Sequence, residues 1–106
     1  MIYHTTFHLD NDIWDDGLLY LKQQYIPRAI QGGLLDRPVM QRVLQDLQED
    51  EAGGGVSLCI QFRVEDRETL HRWMQREGAG LQRELSATFG AKIAGFSTLL
   101  EEMELA

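Results

Sequence analysis

From Val56 to Val64 the chain alternates without a fault. Val56, Leu58, Ile60, Phe62 and Val64 fall on one side, and Ser57, Cys59, Gln61 and Arg63 on the other. A period of two predicts a strand whose apolar side must be covered. Its other side is too apolar for plain solvent surface and too polar for a dry core. Such a face suits packing against another subunit. Ile2 to Leu9 alternates as well, with Tyr3, Thr5, Phe7 and Leu9 on one side and Ile2, His4, Thr6 and His8 on the other. This is the first strand.

Helical spacing follows each of these strands. Trp14, Leu18, Leu21 and Tyr25 recur at steps of four, three and four, the stripe of an amphipathic helix. Asp10, Asn11 and Asp12 are candidates for its N-cap, and Asp15 and Asp16 put negative charge where the helix dipole favours it. Ile26-Pro27 is expected to disturb the helix and Gly32-Gly33 to end it. A second helix is predicted after Asp66, with Leu70, Trp73, Met74, Leu81, Leu85 and Phe89 in phase and a kink or break at Gly78 and Gly80. Gly90 closes it. Val39 to Leu47 fits a helix or a strand. A turn, Gln48 to Gly55, and an alternating run follow directly, which favours a strand, with the three glycines at a hairpin tip. Lys92 to Leu100 reads as the fourth strand, and Glu101, Glu102 and Glu104 as a polar tail.

The predicted order is β-α-β-β-α-β. Right-handed crossovers on one sheet make this an α+β, ferredoxin-like chain: an antiparallel four-stranded sheet with both helices on one face. Residues 1–106 suffice for one domain.

Composition narrows the classes. Hydrophobic content of 43% and charged content of 25% are those of an ordinary globular protein. The net charge of −7 argues against a phosphate-backbone partner, so nucleic acid is not expected. No apolar run reaches membrane-spanning length, and the first residues do not form a secretory signal. One cysteine, Cys59, makes no internal disulfide, which points to a reduced, cytoplasmic protein.

Candidate chemistry is sparse. His4 and His8 share a strand face, but four residues along a strand span roughly 13 Å, too far for two zinc bonds of about 2 Å each. No metal and no cofactor is expected. Cys59 lacks a neighbouring base or positive charge that would make it a nucleophile. The Asp10–Asp16 cluster misses calcium-loop spacing, and Gly53-Gly54-Gly55 lacks the lysine and helix of a phosphate loop. Three residues remain as candidate ligand contacts: Trp14 and Tyr25 as walls of a cleft between the first helix and the sheet, and Gln61 as a group that orients a carbonyl or amide. Tyr25 has the best claim, because a buried phenol must find a hydrogen-bond partner.

Several short segments carry a resemblance: Ile2-Tyr3, Tyr25-Ile26-Pro27, Gly33, Gly54-Gly55-Val56, Gln61-Phe62, Leu81-Gln82, Phe89-Gly90 and Phe96-Ser97-Thr98-Leu99-Leu100-Glu101. Over nearly its whole length the chain is similar to the small bacterial family catalogued as domain of unknown function 4286. That family resembles the dimeric α+β barrel group, in which two ferredoxin-like sheets pack face to face. The group includes cofactor-free monooxygenases and haem-degrading enzymes. Against the family's pattern the chain carries Tyr25 where His is usual, Gly32-Gly33 for Thr-Gly, and Ser97 where Arg is usual. The expectation is a cytoplasmic homodimer that works as a binding or interaction module. The alternative is a cofactor-independent monooxygenase-like enzyme acting on a small molecule in the helix–sheet cleft.

Overall fold

The alternating runs pair into one sheet in the computed structural model, which describes residues 1–44 and 55–105. Its strands are β1 (Ile2–Leu9), β2 (Leu35–Arg42), β3 (Val56–Val64) and β4 (Ile93–Leu100). Their order across the sheet is β2-β3-β1-β4, with every neighbouring pair antiparallel. This is the ferredoxin-like α+β arrangement. Register follows from the pattern of side chains. Tyr3 pairs with Phe62, Thr5 with Ile60 and Phe7 with Leu58, so all the apolar positions share one side.

Two interrupted helices cover that side. The first runs through a 3-10 turn (Asn11–Ile13), α1 (Trp14–Tyr20), a π-helical turn (Leu21–Tyr25) and α2 (Ile26–Ile30). The second comprises α3 (Arg67–Trp73), a π-helical turn (Met74–Gly78), α4 (Ala79–Phe89) and a 3-10 turn (Gly90–Lys92). Leu21, Tyr25, Trp73, Leu81 and Leu85 are buried against the sheet. Gly17 brings α1 close to it, since a Cβ there would lie 2.5 Å from Leu9 Cδ2. The result is a slab of 39 × 37 × 18 Å, with its second sheet face left bare by the described residues.

The structure corrects the expected boundaries. β2 starts at Leu35, not Val39, because Leu35 is fully buried and pairs with Val64. A bulge between Asp36 and Val39 absorbs Arg37-Pro38. Pro38 is tolerated because β2 is an edge strand. The ladder continues past β2 through a Val43 N–H bond to the Ser57 carbonyl of 2.9 Å. Gln45 to Leu47 of the expected strand, and Gln48 to Gly54 of the expected hairpin tip, lie outside the described residues.

Pro27 does not end the first helix. It sits in the first turn of α2, directly after the π-helical turn. A wider turn there relieves the clash of a proline ring with the preceding turn and absorbs its missing donor. Gly33, at φ 78, then terminates the helix, its N–H bonding the Ile30 carbonyl at 3.1 Å. The N-cap expected from Asp10–Asp12 is absent: no side chain caps α1, and Asp12 pairs with Lys92 instead. Asp66 does cap α3. It accepts from the Thr69 amide at 2.8 Å and the Thr69 hydroxyl at 2.7 Å, and these bonds hold its carboxyl below the usual carboxylate range.

The second helix also continues where a break was expected. Gly78 closes the π-helical turn, and its missing side chain is filled by Trp73. A Cβ there would lie 2.6 Å from Trp73 Cζ3 and 2.8 Å from Met74 Sδ. At Gly80 the nearest atom is Arg83 Nη2 at 3.9 Å. The two glycines therefore respond oppositely to alanine. Gly80→Ala gains about 1 kcal/mol of helix propensity and is expected to raise the melting temperature by about 4–8 °C. Gly78→Ala is expected to lower it by at least as much, because a buried indole must shift. Thermal melts followed by circular dichroism compare the two.

Candidate functional site

A cleft of about 500 Å³ lies between the second helix and the β1–β4 half of the sheet. Its floor comes from the covered side of β1, where Tyr3, Thr5 and Phe7 alternate with the open-face residues. On β4 the paired positions are small: Gly95 opposite Phe7 and Ser97 opposite Thr5. Leu70 and Met74, with Gln82, Leu85 and Ser86 of α4, form the roof. The space exists because two adjacent inward positions of an edge strand lack bulk. Gly95 also accommodates the Phe7 ring, as a Cβ there would lie 2.9 Å from Phe7 Cδ1.

A row of hydroxyls crosses the floor. Thr5 Oγ1 and Ser97 Oγ are 2.8 Å apart, Ser97 Oγ and Tyr3 OH 3.2 Å. Tyr3 also donates weakly to Met74 Sδ at 3.9 Å. Tyr25 enters from the first helix. Its ring meets Phe7 edge-on, with centroids 5.7 Å apart at 85°, and only 3% of the residue is exposed. Burial, with Tyr3 adding to it, pushes the Tyr25 phenol well above its ordinary pKa. It stays protonated and acts as a donor. Among the described residues no Asp, Glu, Lys, Arg, His or Cys lines the cleft. The site offers neutral hydroxyls, an amide and apolar walls, and no acid–base pair.

The three residues singled out from the sequence do not meet. Tyr25 lines the cleft. Trp14 does not: it is half-buried at the start of α1, with the Arg42 guanidinium 5.0 Å above its ring in a cation–π contact. Gln61 lies on the opposite face of the sheet, paired with His4 and Val39. The cleft therefore lies under the second helix and not the first, because Gly17 lets α1 close onto Leu9. Sequence reasoning missed Tyr3, Thr5 and Ser97 as cleft residues. The signal was the small pair Gly95 and Ser97 inside a strand. Tyr25 and Ser97, both noted above as departures from the resembling family's pattern, prove to be neighbours of the same space.

The bare face of the sheet has its own character. Val39, Val43, Phe96 and Leu100 are each more than a third exposed there, alongside Ile2, His4, Thr6, Cys59 and Gln61. Thr6 Oγ1 and Cys59 Sγ are 3.6 Å apart, and His8 Nδ1 is 3.1 Å from Ser57 Oγ. Phe96 belongs to both sites: it pairs with Thr6 on the bare face and stands at the mouth of the cleft. Among the described residues no group of three or more His, Cys, Asp or Glu is placed to hold a metal. No helix among them is long and apolar enough to cross a membrane.

Comparison with known proteins agrees with this fold. The family described as Domain of unknown function (DUF4286) matches residues 1–103. No curated protein matches the chain in sequence. Among solved structures, a protein of Arabidopsis thaliana, At3g17210, superposes with a TM-score of 0.68 at 8% identity, over 99% of this chain and 100% of its own. An ethyl tert-butyl ether d (ethd) family protein of Bacillus halodurans C-125 gives 0.64 at 13% identity, over 97% and 100%. A dimeric ferredoxin-like protein from an uncultured marine organism gives 0.59 at 12% identity, over 100% of both chains. These likenesses are of fold.

The neutral lining sets a pH expectation. Among the described residues Tyr3 and Tyr25 are its only titratable groups, and Tyr25 is shifted upward, away from neutrality. A neutral probe such as benzyl alcohol is therefore expected to bind with the same affinity from about pH 5 to pH 9. Chemical-shift titration of the Gly95 and Ser97 amides measures it, and a step near pH 6.5 would show a histidine in the site.

Proposed function

The chain belongs to the DUF4286 family, and we propose that this member is a homodimeric, single-domain binding module holding a small, largely apolar, uncharged molecule in the cleft under its second helix. The observation that carries this reading is the cleft itself. It combines about 500 Å³ of space with a buried phenol donor and a row of hydroxyls, and with no charged side chain. Apolar walls with a few convergent polar groups are the usual composition of a small-molecule site. Tyr25 is the contact that orients the ligand. A carbonyl or hydroxyl on the ligand accepts from its hydroxyl.

A volume of this size also favours the enzyme reading over a filled, purely structural cleft. A monooxygenase-like activity that begins with proton removal from its substrate needs a base titrating near neutrality. The lining supplies only phenols and aliphatic hydroxyls. Binding is therefore the stronger reading, and oxygenation of a substrate that ionises by itself is the second.

The dimer rests on the bare face. A slab 18 Å thick with Val39, Val43, Phe96 and Leu100 exposed on one side has apolar area to bury and no helix of its own to bury it. A two-fold copy covers it with the same patch, in an isologous interface. Gln61 and His4 then serve the interface and not the ligand. The dimeric ferredoxin-like neighbour lends support by analogy. The one thiol, Cys59, half-buried on this face, fits a cytoplasmic setting.

Two measurements test these claims. Sedimentation equilibrium is expected to find a dimer at tens of micromolar, and Val39→Lys, at a solvent-facing position opposite Gln61, to give a folded monomer. A wild-type monomer at that concentration sinks the dimer. For the cleft, native mass spectrometry of protein from its own host is expected to show a co-purifying neutral ligand. Tyr25→Phe is expected to weaken its binding about tenfold, the worth of one hydrogen bond of about 1.4 kcal/mol, with the melting temperature within a few degrees. Unchanged binding in Tyr25→Phe, with His4→Ala abolishing it, would move the site to the bare face.

A further inference from the structure

A second cavity of about 470 Å³ opens where β2 begins, β3 ends and α3 starts. It has a different chemistry. Arg37, Arg63 and Arg72 converge on it, with Thr69 and the carboxylates of Asp36 and Glu65. Three of the ten basic residues of an acidic chain thus share one hollow. Arg63 is paired with Glu102. Arg37 and Arg72 form no ion pair among the described residues. Arg72 is steadied by donating to Thr69 Oγ1 at 3.3 Å, and Thr69 is itself buried and bonded to Asp66.

Arg37 is the informative member. Its φ is 50, and no other described non-glycine residue has a positive φ. Pro38 follows it, and a residue before proline is normally confined to extended backbone. Glycine would occupy this position without strain. The bulge between Asp36 and Val39 takes residue 37 out of the alternation of the strand, at a point where it lines the cavity. Strain of this kind concentrates at ligand contacts.

We propose that Arg37 and Arg72, with Arg63 beside them, form a binding site for the oxyanion end of a small molecule, a phosphate or a carboxylate. Guanidinium groups match both geometrically through paired N–H donors. Asp36 and Glu65 line the same hollow and offset part of its positive charge, and with the net charge of −7 they disfavour an extended polyanion such as nucleic acid. The site is separate from the neutral cleft and does not depend on it. It shares no residue with the lining of the first cavity.

Isothermal titration of the full chain at low ionic strength, with pyrophosphate and citrate as probes, tests the proposal. Binding of one equivalent is expected, and the tighter of the two probes tells phosphoryl from carboxylate recognition. Arg37→Gly and Arg72→Gln are each expected to weaken that probe about tenfold, as for loss of one charge-assisted hydrogen bond, with circular dichroism unchanged. Arg83→Gln removes the same charge outside the cavity and is expected to leave affinity within about twofold. The proposal is overturned if neither probe binds, if Arg37→Gly binds as tightly as the wild type, or if Arg83→Gln loses as much as Arg72→Gln.

Discussion

Trp73 holds the two helices to each other and to the sheet. Its indole N–H donates to the Ala29 carbonyl at 2.9 Å in a buried bond. Ala29 lies in the last turn of the first helix, where carbonyls have no partner within the helix. The indole supplies one, across 44 residues of sequence. The ring also lies 5.5 Å from that of Tyr3 on the sheet and fills the space left by Gly78. Both helices are irregular near this contact. A π-helical turn precedes Ala29 and another follows Trp73, and such turns reset the helical phase so that residues on either side still face the core.

The second helix runs from β3 at α3 to β4 at α4, and β4 beneath it is incompletely filled. On a less interrupted strand this would expose bulky side chains. Here the inward positions are Gly95 and Ser97, and the uncovered space becomes a cleft. Its lining is neutral, so what it contributes is shape and hydrogen bonding from Tyr25, Thr5 and Ser97. An ionised ligand would find no countercharge there and would lose hydration on entry. The three arginines where β2 begins, β3 ends and α3 starts present the converse: charge with little apolar wall. The two hollows divide the polar chemistry of the molecule between them.

Phe96 links the cleft to the bare face. Its side chain belongs to the bare side of β4 and is 67% exposed, while the residue also lines the cleft. A copy packed on that face reaches this ring directly.

Much of this was legible along the chain. Alternation in β1 and β3, the Asp66 cap, the apolar stripe ending at Tyr25 and the exposed second face are local patterns, and local patterns determine which residues need burial. They determined the order of elements and, with it, the ferredoxin-like sheet. The extent of β2 was not legible, because Leu35 gains its place from pairing with Val64 and a bulge hides its phase. Nor was the continuity of the helices, since the π-helical turns that accommodate Pro27 and Gly78 are stabilised by packing and leave no mark in periodicity. The candidate site divides the same way. The sequence identified Tyr25 as a phenol that needs a partner when buried, but it made Trp14 the other wall of its cleft. Alternation alone already put Gln61 on the other side of the sheet, whereas only the tertiary structure decided that Trp14 stacks with Arg42. It alone made the cleft from Tyr3, Thr5 and Ser97, because a cavity is defined by residues distant in the chain and by what fails to cover them.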